Sequence, residues 1–449
     1  MVSRREFLSL LSGATAGVAA AGVTTTDALA GPSVASERAQ KRRRGPESAD
    51  DARVITPNGV TLPYNEVDET KVYHLVAEPI EHRFADGLVA DLWGYNGRSP
   101  GPTIEAVEGD RLRIYVTNRL PAPTTVHWHG IVPIPNGMDG VAGLNQEPIP
   151  PGETFKYEFD AAEAGTFMYH PHFDELTQMA MGMNGLFVIH PRDPEPVDRD
   201  FAIMLHEWHI PAGTSRPDPG EMVDFNLATM NSKVFPATEP LVIETGDRVR
   251  IRLCNLSIMS HHPIHLHGHT FDITGTEGGR IPVSARWPES TVLVPVGGIR
   301  DIEFEAENPG DWAMHCHMLH HLMNQMGHAG PPTIGVDSAA LDDTIQPLLP
   351  EYMTMGSRGM ADMFEMEMDM PDNSIVMKGG DGPFGHIDMA GMFTIVKVRE
   401  QLATYDDPGW YDHPPDTVAR RATEQELRRD GIEPPEMPDD APPAPDHDH

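Results

Sequence analysis

The sequence predicts an all-β protein made of two related β-sandwich domains, and three observations predict it. Short alternating runs such as Arg111-Leu-Arg-Ile-Tyr-Val116 and Thr154-Phe-Lys-Tyr-Glu-Phe159 are bounded by Gly, Pro, Asn and Asp. Alternation at period two marks strands with one buried face, and closely spaced turn residues mark antiparallel sandwich connections, with few long helical stretches. The third observation is an internal repeat. Gly109-Asp110-Arg111-Leu112-Arg113-Ile114, His127-Trp128-His129-Gly130 and Gly165-Thr-Phe-Met-Tyr-His170-Pro171-His172 recur in the same order. The second copy reads Gly246-Asp247-Arg248-Val249-Arg250-Ile251, His265-Leu266-His267-Gly268 and Gly310-Asp-Trp-Ala-Met-His315-Cys316-His317. Such self-similarity is the mark of a duplicated domain. The copies span roughly residues 56–195 and 198–400.

Ahead of the first copy, Ser3-Arg4-Arg5-Glu6-Phe7-Leu8, an apolar stretch to Val23 and Ala28-Leu29-Ala30 read as a twin-arginine signal over residues 1–30. Residues 31–55, with the basic run Lys41 to Arg44, read as a disordered leader. Export to the periplasm or the cell exterior follows. No other segment approaches the ~20 apolar residues of a membrane span, so a soluble mature protein is expected. A formal charge of −35 excludes nucleic acid and anionic membranes as partners. Acid spread along the whole chain suits solubility at high salt, with cation recruitment as the competing explanation. Export usually brings disulfides, yet Cys254 and Cys316 are the only cysteines. Cys254 lies in an apolar alternation and reads as a small core residue.

The histidines are not scattered. Composition alone predicts about one His-x-His pair, whereas there are six: 127/129, 170/172, 265/267, 267/269, 315/317 and 447/449. On a strand, neighbouring side chains point to opposite faces, so Cys316 binds on one side while His315 and His317 bind on the other. Thiolate, imidazole and a weak thioether make up a blue-copper ligand set. Cys316, His321 five residues on and Met326 ten residues on fit it, with Met389 or Met392, at the start of the last strand, as the alternative thioether. His262 completes it, because its odd separation from His265 and His267 turns it to the opposite face of a strand. The pairs 127/129, 170/172, 265/267 and 315/317 each place two imidazoles on one face, and these eight histidines are enough for three coppers. Zinc is the metallic rival, but its sites need only three or four ligands and it has no redox chemistry.

His127-Trp-His-Gly, His170-Pro-His, His262-Pro-Ile-His-Leu-His267 and His315-Cys-His-x3-His321-x4-Met326 resemble the four copper-binding motifs of multicopper oxidases, the laccase-like group. The resemblance covers about residues 90–330 and implies cupredoxin-like Greek-key sandwiches. It also implies four coppers per functional unit: type 1 at His262, Cys316, His321 and Met326; type 2 at His127 and His265; and a type 3 pair at His129, His170, His172, His267, His315 and His317. Asp139, in Met-Asp-Gly, matches an acid that the family uses for proton delivery. Leu322 departs from the acid many members carry after the second type 1 histidine. Pro171 and Thr124 stand where the second copy has Cys316 and His262, so only domain 2 carries the thiolate.

Ninety residues separate His172 from His262, too few for a middle domain, and the chain resembles the two-domain type. In that type the first domain of one subunit meets the second domain of the next, which implies a homotrimer with trinuclear sites between subunits. Copper nitrite reductases share the trimer but carry the thiolate in domain 1. The second domain holds an insertion, 340–388, rich in methionine from Met353 to Met377; a Cu(I)-recruiting arm and a flexible apolar cover are both open readings. Met179, Met181 and Met183, at period two, read as strand or loop packing. Residues 401–449 form an acidic, Pro-rich tail, mobile from 424. The expected activity is oxidation of a small reducing substrate, Cu(I) or phenols first and Mn(II) next, coupled to reduction of O2 to water. Copper sequestration without turnover is the alternative.

Overall fold

The computed structural model describes residues 54–211, 213–325, 338–345, 347–348 and 372–433. Four sheets stack as two sandwiches. In the first domain, Thr70–Ala85 is the long strand at the centre of one sheet, pairing with Leu88–Tyr95 and Arg111–Asn118, and Thr154–Asp160 completes it. The facing sheet orders Gly101–Val107, Gly185–His190, Gly165–His170 and His127–His129, with the last at its edge. Leu75, Ile114, Val116, Trp128, Tyr169 and Phe187 fill the space between them.

The second domain repeats this pairing. Arg199–Trp208 runs parallel to Arg248–Asn255 as Thr70–Ala85 runs parallel to Arg111–Asn118. His262–Leu266 pairs antiparallel with Gly310–Cys316 as His127–His129 pairs with Gly165–His170. Its core joins Ile203, Leu253 and Ile302 of one sheet to Ile264, Met314 and Cys316 of the other. The expectation of antiparallel strands thus holds for the hairpin pairs and fails for these parallel ones. The chain changes sheets between the parallel partners, and such crossings bring distant strands alongside each other in the same direction. Alternation within a single strand carries no information about which neighbour it takes.

The domains meet sheet to sheet. Met168, Leu186 and Val188 of the first pack on Ala202, Met204, Cys254 and Ile299 of the second. Cys254 is fully buried there, as a small core residue. Beside this apolar seam lies a buried ionic network. Arg252 donates to both oxygens of Asp200 at 2.8 and 2.7 Å and to Thr166 Oγ1 of the first domain at 2.6 Å, and Thr166 donates to Asp301 at 2.8 Å. The layers therefore run first-domain outer sheet, histidine sheet, second-domain inner sheet, and thiolate sheet.

Three local expectations are corrected. Met179 sits on the helix Glu175–Ala180, and Met181 and Met183 follow it in a turn. All three are buried, so the packing expectation holds, with Met181 and Met183 in a connecting loop as one of its two readings had it and only Met179 on a helix. Within the segment read as mobile from 424, Glu424–Arg429 is helical, closed by a capping box between Thr423 and Glu426. In the insertion, Gly380–Gly382 and Gly385–Ile387 form a hairpin. Met353 to Met370, Met326, residues 1–53 and His447 and His449 lie outside the described residues, but the end of the expected disordered leader is ordered: Val54 is buried at the domain seam and Ile55 pairs with Phe201. No helix among those described is long and apolar enough to cross a membrane.

Candidate metal centres

The thiolate set forms at the end of two paired strands. In His262–Leu266, residues 262, 264 and 266 are buried and 263 and 265 are not, so the parity argument for His262 holds. Ile264 lies opposite Cys316 in the ladder, which puts the thiol on the same inner face as His262. The following turn, Leu319–Leu322, brings His321 back. Cys316 Sγ lies 3.7 Å from His262 Nδ1 and 3.4 Å from His321 Nδ1, and the two nitrogens are 3.2 Å apart. Their ligand atoms all fall within 4.8 Å of one another. Ser257 Oγ sits 2.6 Å from His262 Nε2, which directs Nδ1 to the sulfur.

Burial sets the charge state. Desolvation holds His262 well below the ordinary imidazole value, so it is a neutral ligand. It pushes the Cys316 thiol up to about 12, and the Met318 amide offsets only part of this. One soft sulfur and two imidazole nitrogens converging, with His262 held neutral, fit copper. Met326 lies outside the described residues, so the axial position is not part of this geometry.

The other eight histidines gather as two sets of four. In the first domain His127, His129, His170 and His172 have ring centres 5.3–6.3 Å apart along the contacts 127/129, 127/170, 127/172, 129/170 and 170/172. In the second, His265, His267, His315 and His317 do so at 4.7–5.7 Å. The back of each set repeats too. His170 and His315 turn Nδ1 to the carbonyls of Pro171 and Cys316, each at 2.9 Å. His127 and His265 turn Nδ1 to the carbonyls of Asp139 and Ser290, each at 2.7 Å. Locking one nitrogen this way fixes the tautomer and aims the other at the metal. Between them the front nitrogens converge, with His129 Nδ1 3.3 Å from His170 Nε2 and His267 Nε2 3.2 Å from His315 Nε2. Burial, together with the neighbouring rings, lowers His170 to about 3 and lowers His129, His267 and His315. Crowded, unprotonated nitrogens in this arrangement suit a bound cation.

No ring of one set touches a ring of the other among the described residues. The layer order explains why. The first set lies on the histidine sheet's face toward domain 2, opposite Trp128 and Tyr169, which point into the first core. His265 and His315 point outward from the thiolate sheet, opposite Ile264 and Cys316. A whole sandwich stands between them, and packed sheets alone are about 10 Å apart. His267 and His317 are exposed.

Sequence reasoning found every histidine of these sets and missed their supports. Ser257, Ser290, Thr291, Asn145 and Glu175 back the imidazoles, and Asn145 Nδ2 holds Asp139 Oδ2 at 2.9 Å. Asn255 was a readable signal for Ser257. It ends its strand as Asn118 does, and each side chain takes the amide two residues on. His269 packs its ring on Phe304 and Trp312 and turns Nδ1 to the His267 carbonyl at 3.3 Å. In domain 1 the position of the thiolate centre is closed, with buried Thr124 donating to Gln178 at 2.6 Å and Pro171 in place of the cysteine.

The family model for multicopper oxidases matches residues 77–194 and, in a second form, 212–330, together just over half of the chain. Oxidoreductase OpS5 of Beauveria bassiana is 30% identical over 335 residues, 68% of this chain and 55% of that protein. Laccase-20 of Oryza sativa subsp. indica is 30% identical over 281 residues, 58% of this chain and 44% of its own. The chain thus spans about half the length of the curated relatives it matches. Among solved structures, the blue copper oxidase from Nitrosomonas europaea superposes with a TM-score of 0.54 at 27% identity, covering 76% of this chain and 91% of that one. The multicopper oxidase mgLAC gives 0.55 at 25%, covering 77% and 90%. With two cupredoxin-like sandwiches, a thiolate and two imidazoles within ligand distance and two four-histidine sets, this chain belongs to the multicopper oxidase family.

Proposed function

We propose that the protein is an exported copper oxidase that takes electrons singly from a small reducing substrate at the Cys316 centre and reduces O2 to water at the histidine sets. Cu(I) and phenols are the substrate classes to test first, then Mn(II). One observation carries the reading. Cys316 occupies a single position between His315 and His317, so one strand joins the thiolate donor directly to two imidazoles of the second-domain set. Sequestration alone gives no reason for that link, and family membership does not favour it.

When bound, copper supplies one-electron redox chemistry at Cys316 and the chemistry of oxygen reduction at the histidines. The remaining roles belong to the chain. Cys316 and His262 are fully buried, which excludes water from the thiolate, while the less buried His321 stands nearest the surface. Asp139 keeps a carboxylate oxygen 3.4 Å from His127 Nδ1, where a proton can be held.

Four coppers per functional unit, three of them among eight histidines, require both sets to meet. They do not meet within one chain, which supports a homotrimer in which one subunit's first domain closes on the next subunit's second. The twin-arginine motif supports export to the periplasm or beyond. The test is an oxygen electrode on copper-loaded protein with each substrate class. Turnover that survives Cys316→Ser overturns the reading.

A further inference from the structure

The turn that delivers His262 to Cys316 is gripped from behind by one strand end. Along Arg199–Trp208, His206 and Glu207 are adjacent and fully enclosed. His206 Nδ1 donates to the Leu256 carbonyl at 2.7 Å. Glu207 Oε1 accepts the amides of Met259 and Ser260 at 2.5 and 2.9 Å. Neighbouring residues on a strand point to opposite faces, so the turn wraps around the strand end to reach both. Asn255 tightens it further, with Nδ2 donating to the carbonyls of Ser260 and Val294 at 3.0 Å each. Near the start of the same turn, Ser257 Oγ holds His262 Nε2 at 2.6 Å.

A glutamate is an expensive way to cap a turn in the core. Two amides need only a neutral acceptor, whereas a buried carboxylate loses its hydration and is retained only if something compensates. Glu207 Oε2 is enclosed with no hydrogen-bond donor among the described residues. An unsatisfied buried oxygen of this kind is destabilising, so hydrogen bonding alone does not account for a carboxylate here. The feature that glutamine lacks is charge: burial pulls the Glu207 carboxyl above its ordinary value, and the hydrogen bonds from Ser260 and Met259 oppose that and favour the ionised form. Glu207 is also among the groups whose charge is felt at Cys316.

We propose that Glu207 is a positioning residue of the thiolate centre: it fixes the Leu256–His261 turn so that His262 stands against Cys316, and its carboxylate lowers the reduction potential of the metal held there. The proposal rests on reading Cys316, His262 and His321 as copper ligands. A nearby negative charge favours the oxidised, more positive metal, and low polarity around it lets that charge act at full strength.

The test compares copper-loaded wild type with Glu207→Gln and Glu207→Asp, following the blue absorption band and its reduction potential, with thermal unfolding of the copper-free chains as control. Glu207→Gln keeps the shape and loses the charge, so its potential is expected to rise while its unfolding midpoint stays close to wild type. Glu207→Asp keeps the charge but falls one methylene short of the turn, so its band is expected to shift while its potential stays nearer wild type. Blue variants with wild-type potential and band overturn the proposal, as does a change in unfolding midpoint alone. If Glu207→Gln does not fold, Glu207→Asp decides on the band. A wild type that loads copper without a blue band overturns the ligand reading and this proposal together.

Discussion

Ser257 Oγ lies 2.6 Å from Nε2 of the buried His262, and this contact determines which imidazole nitrogen faces Cys316. Removing the hydroxyl frees the ring to rotate. Ser257→Ala is expected to weaken copper binding at the thiolate centre by roughly 10–100-fold, the usual cost of losing a group that orients a ligand. Competition with a chelator, read through the blue band, measures it. Unchanged affinity would show that packing alone holds the ring.

Copper uptake at Cys316 should depend on pH with a definite sign. The thiol is raised to about 12, so it is protonated at neutral pH, while His262 is already neutral. Binding therefore releases the thiol proton, and apparent affinity should rise about tenfold per pH unit from this group. A flat profile across neutral pH in a chelator titration contradicts this.

Asp139 contributes a backbone carbonyl and a carboxylate to His127, and these separate by mutation. Asp139→Asn keeps the carbonyl, so copper loading should persist while turnover falls about 100-fold or more, as for loss of an acid–base group. The rate–pH profile should change with it. Equal loss of copper and activity would make the carboxylate a structural support only.

If the oxygen site is shared between subunits, two inactive chains can repair each other. His127→Ala/His129→Ala damages only the first-domain set, and His265→Ala/His267→Ala only the second. Assembled together, they should recover part of the wild-type oxygen consumption, because some junctions then hold two intact sets. No recovery from properly assembled mixtures, or a monomeric active enzyme in sedimentation, counts against the trimer.

The second domain's ionic network beside the seam should weaken in acid and on loss of one arginine. Burial raises Glu303, but Arg250 and Arg280 outweigh it and hold the carboxyl near 2, against an ordinary 4.5. Its contribution to stability is fully present above about 4.5 and is lost as pH falls through about 2. Glu303→Gln should flatten that part of the acid-unfolding curve. Arg252→Met leaves Asp200 with a weakened partner set and should cost about 3–5 kcal/mol, measured by denaturant unfolding.

The metal-binding residues were legible because ligand chemistry is local. A thiolate between two histidines, an odd spacing from His262 and repeated His-x-His pairs depend only on strand alternation, and Ile264 opposite Cys316 bears that out. The duplication was legible for the same reason, since repeated strands show in repeated residues. Supports such as Ser290 and Glu207 were not, because a hydroxyl or carboxylate acquires its role only when a distant turn folds against it. Parallel pairing between Arg199–Trp208 and Arg248–Asn255 was equally hidden, as alternation does not name a strand's neighbour. By itself, then, the sequence determined two sandwiches, the histidine sets and the cysteine between them. Only the tertiary structure decided that the two sets in one chain do not meet, because the first lies on the face toward domain 2 and the second on the far face of that domain. That outcome depends on which sheet faces pack at the seam of Met168, Met204 and Cys254, a matter of long-range burial that no local pattern encodes.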